Sequence, residues 1–376
     1  MSFLAPERDT LRRILPGLDE ALAVPELTEL EQPGNVGITR FKEAGGPGLL
    51  VPPEHGGCGA TAREAVRVTR AIGSRAPSLA IATTMHNFSV ASLVALANHS
   101  DGFEWMLLDA VANDRLLVSS AFAEGHSGRG VLDPTMTAVR DGGQWRVNGR
   151  KKPCSLSRSM DLITASVALR EPDGGETLGV ALIPAASEGI TVRPFWRSGV
   201  LTGAESDEVV LTDVLVDENL MIRPKLDPGS NLDDLQTVGF IWFSLLVAAS
   251  YLGMASALVE RLLAADRGGP AGQAGVLIEL EFAALAVDRA AWALDEGDTG
   301  NDALARALIA RYGAHRAIRD VVNQTVGMLG GIGFISSPDV AYLSAACQAV
   351  QFHPPSQHAM AGSFAAYFAG GDLRVQ

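Results

Sequence analysis

Gly142-Gly143-Gln144-Trp145-Arg146-Val147-Asn148-Gly149-Arg150-Lys151 reads as the arm of a β-hairpin, and Asp141-Gly142-Gly143 reads as its turn. Asp-Gly and Gly-Gly supply the positive-φ positions of a tight turn, and short runs of β-branched and aromatic residues beside such a turn are strands. Working outward, residues 136–139, 144–148, 162–169, 177–183, 190–194 and 208–211 are all short β-rich runs. Gly, Pro or Asp-Gly turns separate them, as at Asp173-Gly174-Gly175. The expectation is a central antiparallel β-domain over residues 117–222.

On both sides of that segment the hydrophobic period changes to that of a helix. Upstream, Leu11, Ile14, Leu15, Leu18 and Leu22 recur at helical spacing, which predicts one amphipathic helix capped by Asp9 or Thr10. A turn follows at Gly45-Gly46-Pro47-Gly48, and Thr61 is placed to cap a helix carrying Ala65, Val66, Val68 and Ile72. Downstream of about residue 232 the chain returns to long Ala/Leu-rich helices, broken at Gly268-Gly269-Pro270 and around Glu296-Gly297-Asp298. Helices of that length pack as a bundle. The fold class expected is α+β: an N-terminal helical domain (1–116), the β-domain (117–222) and a C-terminal four-helix bundle (223–376).

Composition narrows the function. The 376 residues are 47% hydrophobic and 19% charged, which suits a folded chain with a large core. A formal charge of −13 and the lack of a basic stripe argue against a nucleic-acid partner. They leave open a phosphate-bearing cofactor held by backbone N–H groups and single arginines. The three cysteines, Cys58, Cys154 and Cys347, are far apart and show neither disulfide-framework nor zinc spacing, so no metal and a reducing, cytoplasmic setting are expected. The start of the chain lacks the basic and apolar regions of an export signal. Residues 238–254 form an uncharged apolar window, read as a buried helix and not a membrane span because no Lys/Arg cluster flanks it.

Four phrases then occur in a telling order. Leu49-Leu50-Val51-Pro52-Pro53-Glu54-His55-Gly56-Gly57-Cys58-Gly59 is a Gly-rich turn, and the Gly142–Lys151 hairpin follows. Ser187-Glu188-Gly189-Ile190-Thr191-Val192 leads to Glu208-Val209-Val210-Leu211-Thr212-Asp213-Val214-Leu215-Val216, and Gly330-Gly331-Ile332-Gly333-Phe334 lies in the last helical region. Together they resemble the acyl-CoA dehydrogenase superfamily over nearly the whole chain. The resemblance implies a flavin-dependent oxidoreductase that binds FAD, with FMN as the alternative, and that assembles as a homodimer or homotetramer. A small-molecule substrate, such as an acyl thioester, is its expected partner.

Carried over residue by residue, the resemblance assigns flavin contacts to Glu124, Gly128 and Arg129 in the loop Ala123-Glu124-Gly125-His126-Ser127-Gly128-Arg129-Gly130. It adds Ser155, Arg267, Gly330, Gly331 and Gln357. Several family side chains are replaced: Ala123 and Arg129 stand where hydroxyls are usual, and Pro153 stands where an aromatic is usual. A glutamate base, which removes the α-proton of a thioester while hydride leaves for the flavin, is the family's catalytic group. In this chain His353 occupies the glutamate's usual position, and Phe243-Ser244 occupies the earlier position used by a smaller group. Three readings follow. His353 is a base in thioester oxidation, or it supports oxygen chemistry as in the family's monooxygenases, or the chain is a non-catalytic partner subunit. Thioester oxidation is placed first because most of the superfamily carries it out. The other histidines have no comparable placement, and Ser155 and Ser157 lack the His/Asp neighbours of a hydrolase nucleophile.

Overall fold

The computed structural model describes residues 3–99, 103–124, 134–171, 174–223 and 234–375. Seven helices come first: α1 (Ala5–Ile14), α2 (Leu18–Ala23), α3 (Leu27–Leu30), α4 (Val36–Glu43), α5 (Ala62–Arg75), α6 (Pro77–Ala97) and α7 (Phe103–Asn113). The leucine periodicity expected to make one helix is split between α1 and α2, because Gly17 adopts φ 82 and turns the chain. Neither Asp9 nor Thr10 caps α1. Both lie inside it, and the Thr10 hydroxyl donates back to the Pro6 carbonyl at 2.7 Å. Thr61 does cap α5, in a capping box with Glu64 that satisfies two helix-end N–H groups reciprocally.

Eight strands follow: β1 (Val118–Ala121), β2 (Thr137–Asp141), β3 (Gln144–Cys154), β4 (Leu162–Arg170), β5 (Glu176–Pro184), β6 (Ile190–Arg193), β7 (Asp207–Asp217) and β8 (Met221–Ile222). They form one sheet in the order β6-β7-β3-β2-β4-β5-β8, with β1 also on β4. The antiparallel expectation needs one correction. β1 and β2 both pair with β4 in parallel, β1 along residues 162–165 and β2 along 168–170, so they share one edge of β4 in tandem. Trp145, Val147, Ile163, Val167 and Val214 form the sheet's own core.

The helices after the sheet are α8 (Asp234–Ala264), α9 (Gly269–Asp295), α10 (Asn301–Ser336), α11 (Pro338–Cys347) and α12 (Ala361–Phe368). By length and composition α6, α8 and α9 could each cross a membrane. The apolarity of α8 is used inside the protein, since 83% of its apolar window is buried against α5, α6, α10 and α11. Helices from both ends of the chain thereby share one core. Where α5 crosses α8, Gly73 and Gly253 meet backbone to backbone, and a Cβ on Gly253 would lie 2.4 Å from the Arg70 carbonyl oxygen. That contact fixes the depth of α8, the helix that carries the site's aromatic residues.

Candidate functional site

A cavity of about 500 Å³ opens between the sheet and the helices. Its sheet side is made by Phe122 and Glu124 after β1, Ser155 after β3, and Thr164 and Ser166 on β4. Its helix side is made by Met85, Phe88 and Ser89 of α6 and by Phe240, Phe243 and Tyr251 of α8. Trp196 and Ser206 come from the β6–β7 connection, and His353 comes from the loop after α11. The wall is apolar, with hydroxyls set into one side. The Ser155 hydroxyl is 3.0 Å from that of Ser206, and that of Ser89 is 3.2 Å from that of Thr164. An apolar slot with a few oriented hydroxyls suits a flat aromatic heterocycle such as a flavin.

His353 stands at the helix end of this cavity. Its Nε2 lies 2.8 Å from the Tyr251 hydroxyl, and its ring meets those of Tyr251 and Phe243 edge-on at 5.4 and 6.0 Å. The two alternative positions of the family's base, His353 and Phe243, thus converge in space, and neither carries a carboxylate. The following loop is tied to α10: Arg311 donates to the Pro354 carbonyl at 3.0 Å and to that of Pro355, and the Tyr312 hydroxyl donates to Pro355 at 2.8 Å. Burial, reinforced by the nearby Arg311 guanidinium, pushes the His353 imidazole down to about 3. The histidine is therefore neutral at physiological pH. No residue near His353 in sequence could orient it, and the structure supplies Tyr251, 102 positions away. A sequence signal was present only as a tyrosine inside the uncharged window 238–254, where a buried hydroxyl calls for a partner.

Glu124 also lines the cavity, but its carboxylate is fully engaged. It accepts from Lys151 Nζ at 2.7 Å, from the Thr135 backbone and side chain, and from the Met136 N–H. Burial opposes ionisation, yet the bonds from Lys151 and Thr135 prevail and bring the carboxyl down to about 2. Lys151, fully buried, also donates to Ser166. Glu124 thus ties the residues just after β1 to those just before β2 and to β3, where β2 succeeds β1 along β4.

The remaining sequence assignments fall in three places. Ser155 lines the cavity. Gly128 and Arg129 lie outside the described residues. Arg267, Gly331 and Gln357 are exposed and do not line the cavity of their own chain. Within the chain nothing crowds Gly330 or Gly331, because a Cβ at either would meet open space. Gly330 is needed for another reason: its φ of 72 and ψ of 175 break α10, a conformation L side chains rarely adopt. No group of three or more His, Cys, Asp or Glu that could hold a metal ion occurs among the described residues.

Residues 119–214 match the family "Acyl-CoA dehydrogenase, middle domain". Over the full length of both chains, the protein is 44% identical to isobutylamine N-hydroxylase from Streptomyces viridifaciens. It is 26% identical to the amino sugar nitrososynthase DnmZ of Streptomyces peucetius, over 89% of this chain and 85% of that one. Among solved structures, it superposes on FMN-bound TdsC from Paenibacillus sp. A11-2 with a TM-score of 0.82 at 18% identity, covering 98% of each chain.

Proposed function

Since the chain belongs to the acyl-CoA dehydrogenase superfamily of flavin-dependent oxidoreductases, we propose that it is a flavin-dependent monooxygenase that hydroxylates the nitrogen of a small, largely apolar amine. This reverses the order of readings drawn from the sequence, which put thioester oxidation first. One observation carries the reversal. Among the described residues lining the cavity, Glu124 is the only carboxylate, and it is spent on Lys151, Thr135 and Met136, so no base of the dehydrogenase type faces the cavity. The full-length likeness to an amine N-hydroxylase supports the same conclusion.

When bound, a reduced flavin supplies the two electrons and two protons that release one atom of dioxygen as water while the other joins the amine nitrogen. Ser155 and Ser206 would hold the polar edge of the ring, and Phe122 and Trp196 would wall it. Phe88, Phe240 and Phe243 exclude water from the helix side and favour an alkyl substituent over a polar one. His353, neutral and held between Tyr251 and the Arg311-anchored loop, presents an imidazole to the reacting centre. Low proton affinity suits the histidine to hydrogen bonding as a neutral imidazole, and unsuits it for removing a weakly acidic C–H proton. Arg267, Gly330, Gly331 and Gln357 would serve a flavin only in a second copy of the chain. The exposed Ile278, Phe282 and Leu285, aligned on one face of α9, give such a copy an apolar surface to cover.

The test is to supply the purified chain with oxygen, a separate flavin reductase, NADH or NADPH, and FMN or FAD, using isobutylamine as the probe. Formation of the hydroxylamine, dependent on both reductase and oxygen, is the expected result. Bleaching of bound flavin by an acyl-CoA without oxygen, and no amine product, would overturn the reading. His353→Ala should lower turnover by ~10²–10⁴-fold with flavin binding intact.

A further inference from the structure

Tyr251 is completely buried in α8, and among the described residues its hydroxyl makes one hydrogen bond, to His353 Nε2 at 2.8 Å. The direction of that bond follows from what the hydroxyl lacks. If Nε2 carried the proton and donated, the phenolic O–H would have nowhere to point, and a buried donor left unmade is costly. If the phenol donates, its proton is satisfied, and an oxygen that can still accept is tolerated more cheaply. The phenol cannot escape by ionising, since burial pushes its pKa up. The imidazole is held neutral by burial and by Arg311, so one of its nitrogens carries a proton and the other is bare. The other, Nδ1, makes no hydrogen bond within the described residues.

We propose that Tyr251 is a positioning residue that donates its hydroxyl proton to His353 Nε2 and thereby fixes the histidine as the Nδ1–H tautomer. His353 then meets the guest of the cavity as a neutral hydrogen-bond donor, its one lone pair already taken. This explains how the position of the family's general base can be kept while the base is lost: the substituted side chain is in place, but the nitrogen that could abstract a proton is occupied. It also assigns a role to a tyrosine in the middle of a helix whose buried neighbours are apolar, as Leu246, Val247, Leu252 and Met254 are, or serines such as Ser250 and Ser256 that bond back to their own helix. The tautomer is independent of the substrate. Only the use made of the Nδ1–H rests on the monooxygenase reading.

The experiment is long-range ¹H–¹⁵N NMR on the full chain labelled with [¹⁵N]histidine, without flavin and again with oxidised FMN, the His353 signals being assigned by their loss in His353→Gln. At pH 7.5 the wild-type protein should show a protonated Nδ1 and a bare Nε2. In Tyr251→Phe, which keeps the ring and loses only the hydroxyl, Nε2–H should become populated. Should Tyr251→Phe fold poorly, the wild-type spectrum decides alone. A wild-type Nε2–H, or a Tyr251→Phe spectrum with the wild-type tautomer, would overturn the proposal. In the amine assay, Tyr251→Phe should lower kcat by ~5–10-fold with KM nearly unchanged, a loss equivalent to one neutral hydrogen bond. If amine hydroxylation is absent in every variant while the tautomer is as described, the substrate reading fails and the tautomer assignment stands.

Discussion

Arg311 is the residue whose replacement should separate stability from function. It is 3% exposed, and no carboxylate pairs with it among the described residues; its charge is met by the carbonyls of Pro354 and Pro355, the Tyr312 hydroxyl, and the faces of Phe243 and Tyr312. In Arg311→Met the two charge-assisted bonds to the carbonyls disappear, each worth about 1.5–3 kcal/mol, together with the longer bond to the Tyr312 hydroxyl at 3.3 Å. The desolvation of a buried guanidinium, several kcal/mol, disappears with them. These effects offset, and the net change should stay within about 2 kcal/mol, or a few degrees in Tm for a chain of this size. Of the loop's ties to α10 only that from Tyr312 remains, with the Tyr251–His353 bond to α8, and a misplacement of about 1 Å at a reacting group can cost about 10²-fold in rate. Removing the cation should also raise the His353 pKa, since Arg311 is one of the two causes of its depression. Arg311→Lys keeps the charge but cannot span two carbonyls with a planar fork. It should lose rate as Arg311→Met does, while holding the histidine's acid limb where it is in the wild type. Calorimetry, and the pH dependence of kcat followed from pH 8 down to pH 3, measure both quantities. An Arg311→Met protein with wild-type kcat would refute the reasoning, as would one whose loss of rate is fully accounted for by unfolding.

Lys151→Met should cost about 3–5 kcal/mol in denaturant unfolding, because it leaves the Glu124 carboxylate, 8% exposed, without its cation. Adding Glu124→Gln should recover part of that loss, and a neutral single mutant would show that the pair is not ionic. Gly253→Ala should destabilise by about 1–3 kcal/mol, since a Cβ 2.4 Å from the Arg70 carbonyl forces α5 and α8 apart. An unchanged guanidinium midpoint would mean that the helices do not meet there. The last prediction concerns acid. His86 and His353 are held neutral by burial, at about 4 and about 3, so the unfolded chain takes up two protons below the ordinary histidine value of 6.5 that the folded chain does not. Burial raises Glu31 to about 7 despite bonds from Ser78 and Tyr342, so between pH 4.5 and 7 the folded chain holds one proton more. His315, also lowered by burial and by neighbouring arginines, adds to the same side, so the difference favours the unfolded state by at least one proton, and stability should fall by at least about 1.4 kcal/mol per unit as pH drops from 6.5 to 5. His353→Gln should flatten that slope, and a wild-type slope of opposite sign would sink the assignment.

The succession of helix, sheet and helix was legible in the chain because each part advertises its own period: turns at Asp-Gly and Gly-Gly pairs between short β-rich runs, and long Ala/Leu stretches broken by Gly and Pro. Local rules also identified the Thr61 cap and placed helix breaks near residues 268 and 297. They failed where the deciding interaction is distant. The tandem parallel pairing of β1 and β2 along β4 joins segments far apart in sequence, flanked by Glu124 reaching across to Lys151 and Thr135, and periodicity carries no information about pairing partners. The site shows the same division. The sequence singled out His353 by its position in a motif and recorded that a carboxylate is absent. It could not show that Tyr251, 102 residues earlier, meets its Nε2, that Arg311 anchors its loop, or that Glu124 in the cavity wall is consumed by a lysine. Residue types and their spacing along the chain determine which elements form. Which nitrogen holds a proton, and which carboxylate is free to act, depends on desolvation and hydrogen bonds between segments that only the packed fold brings together.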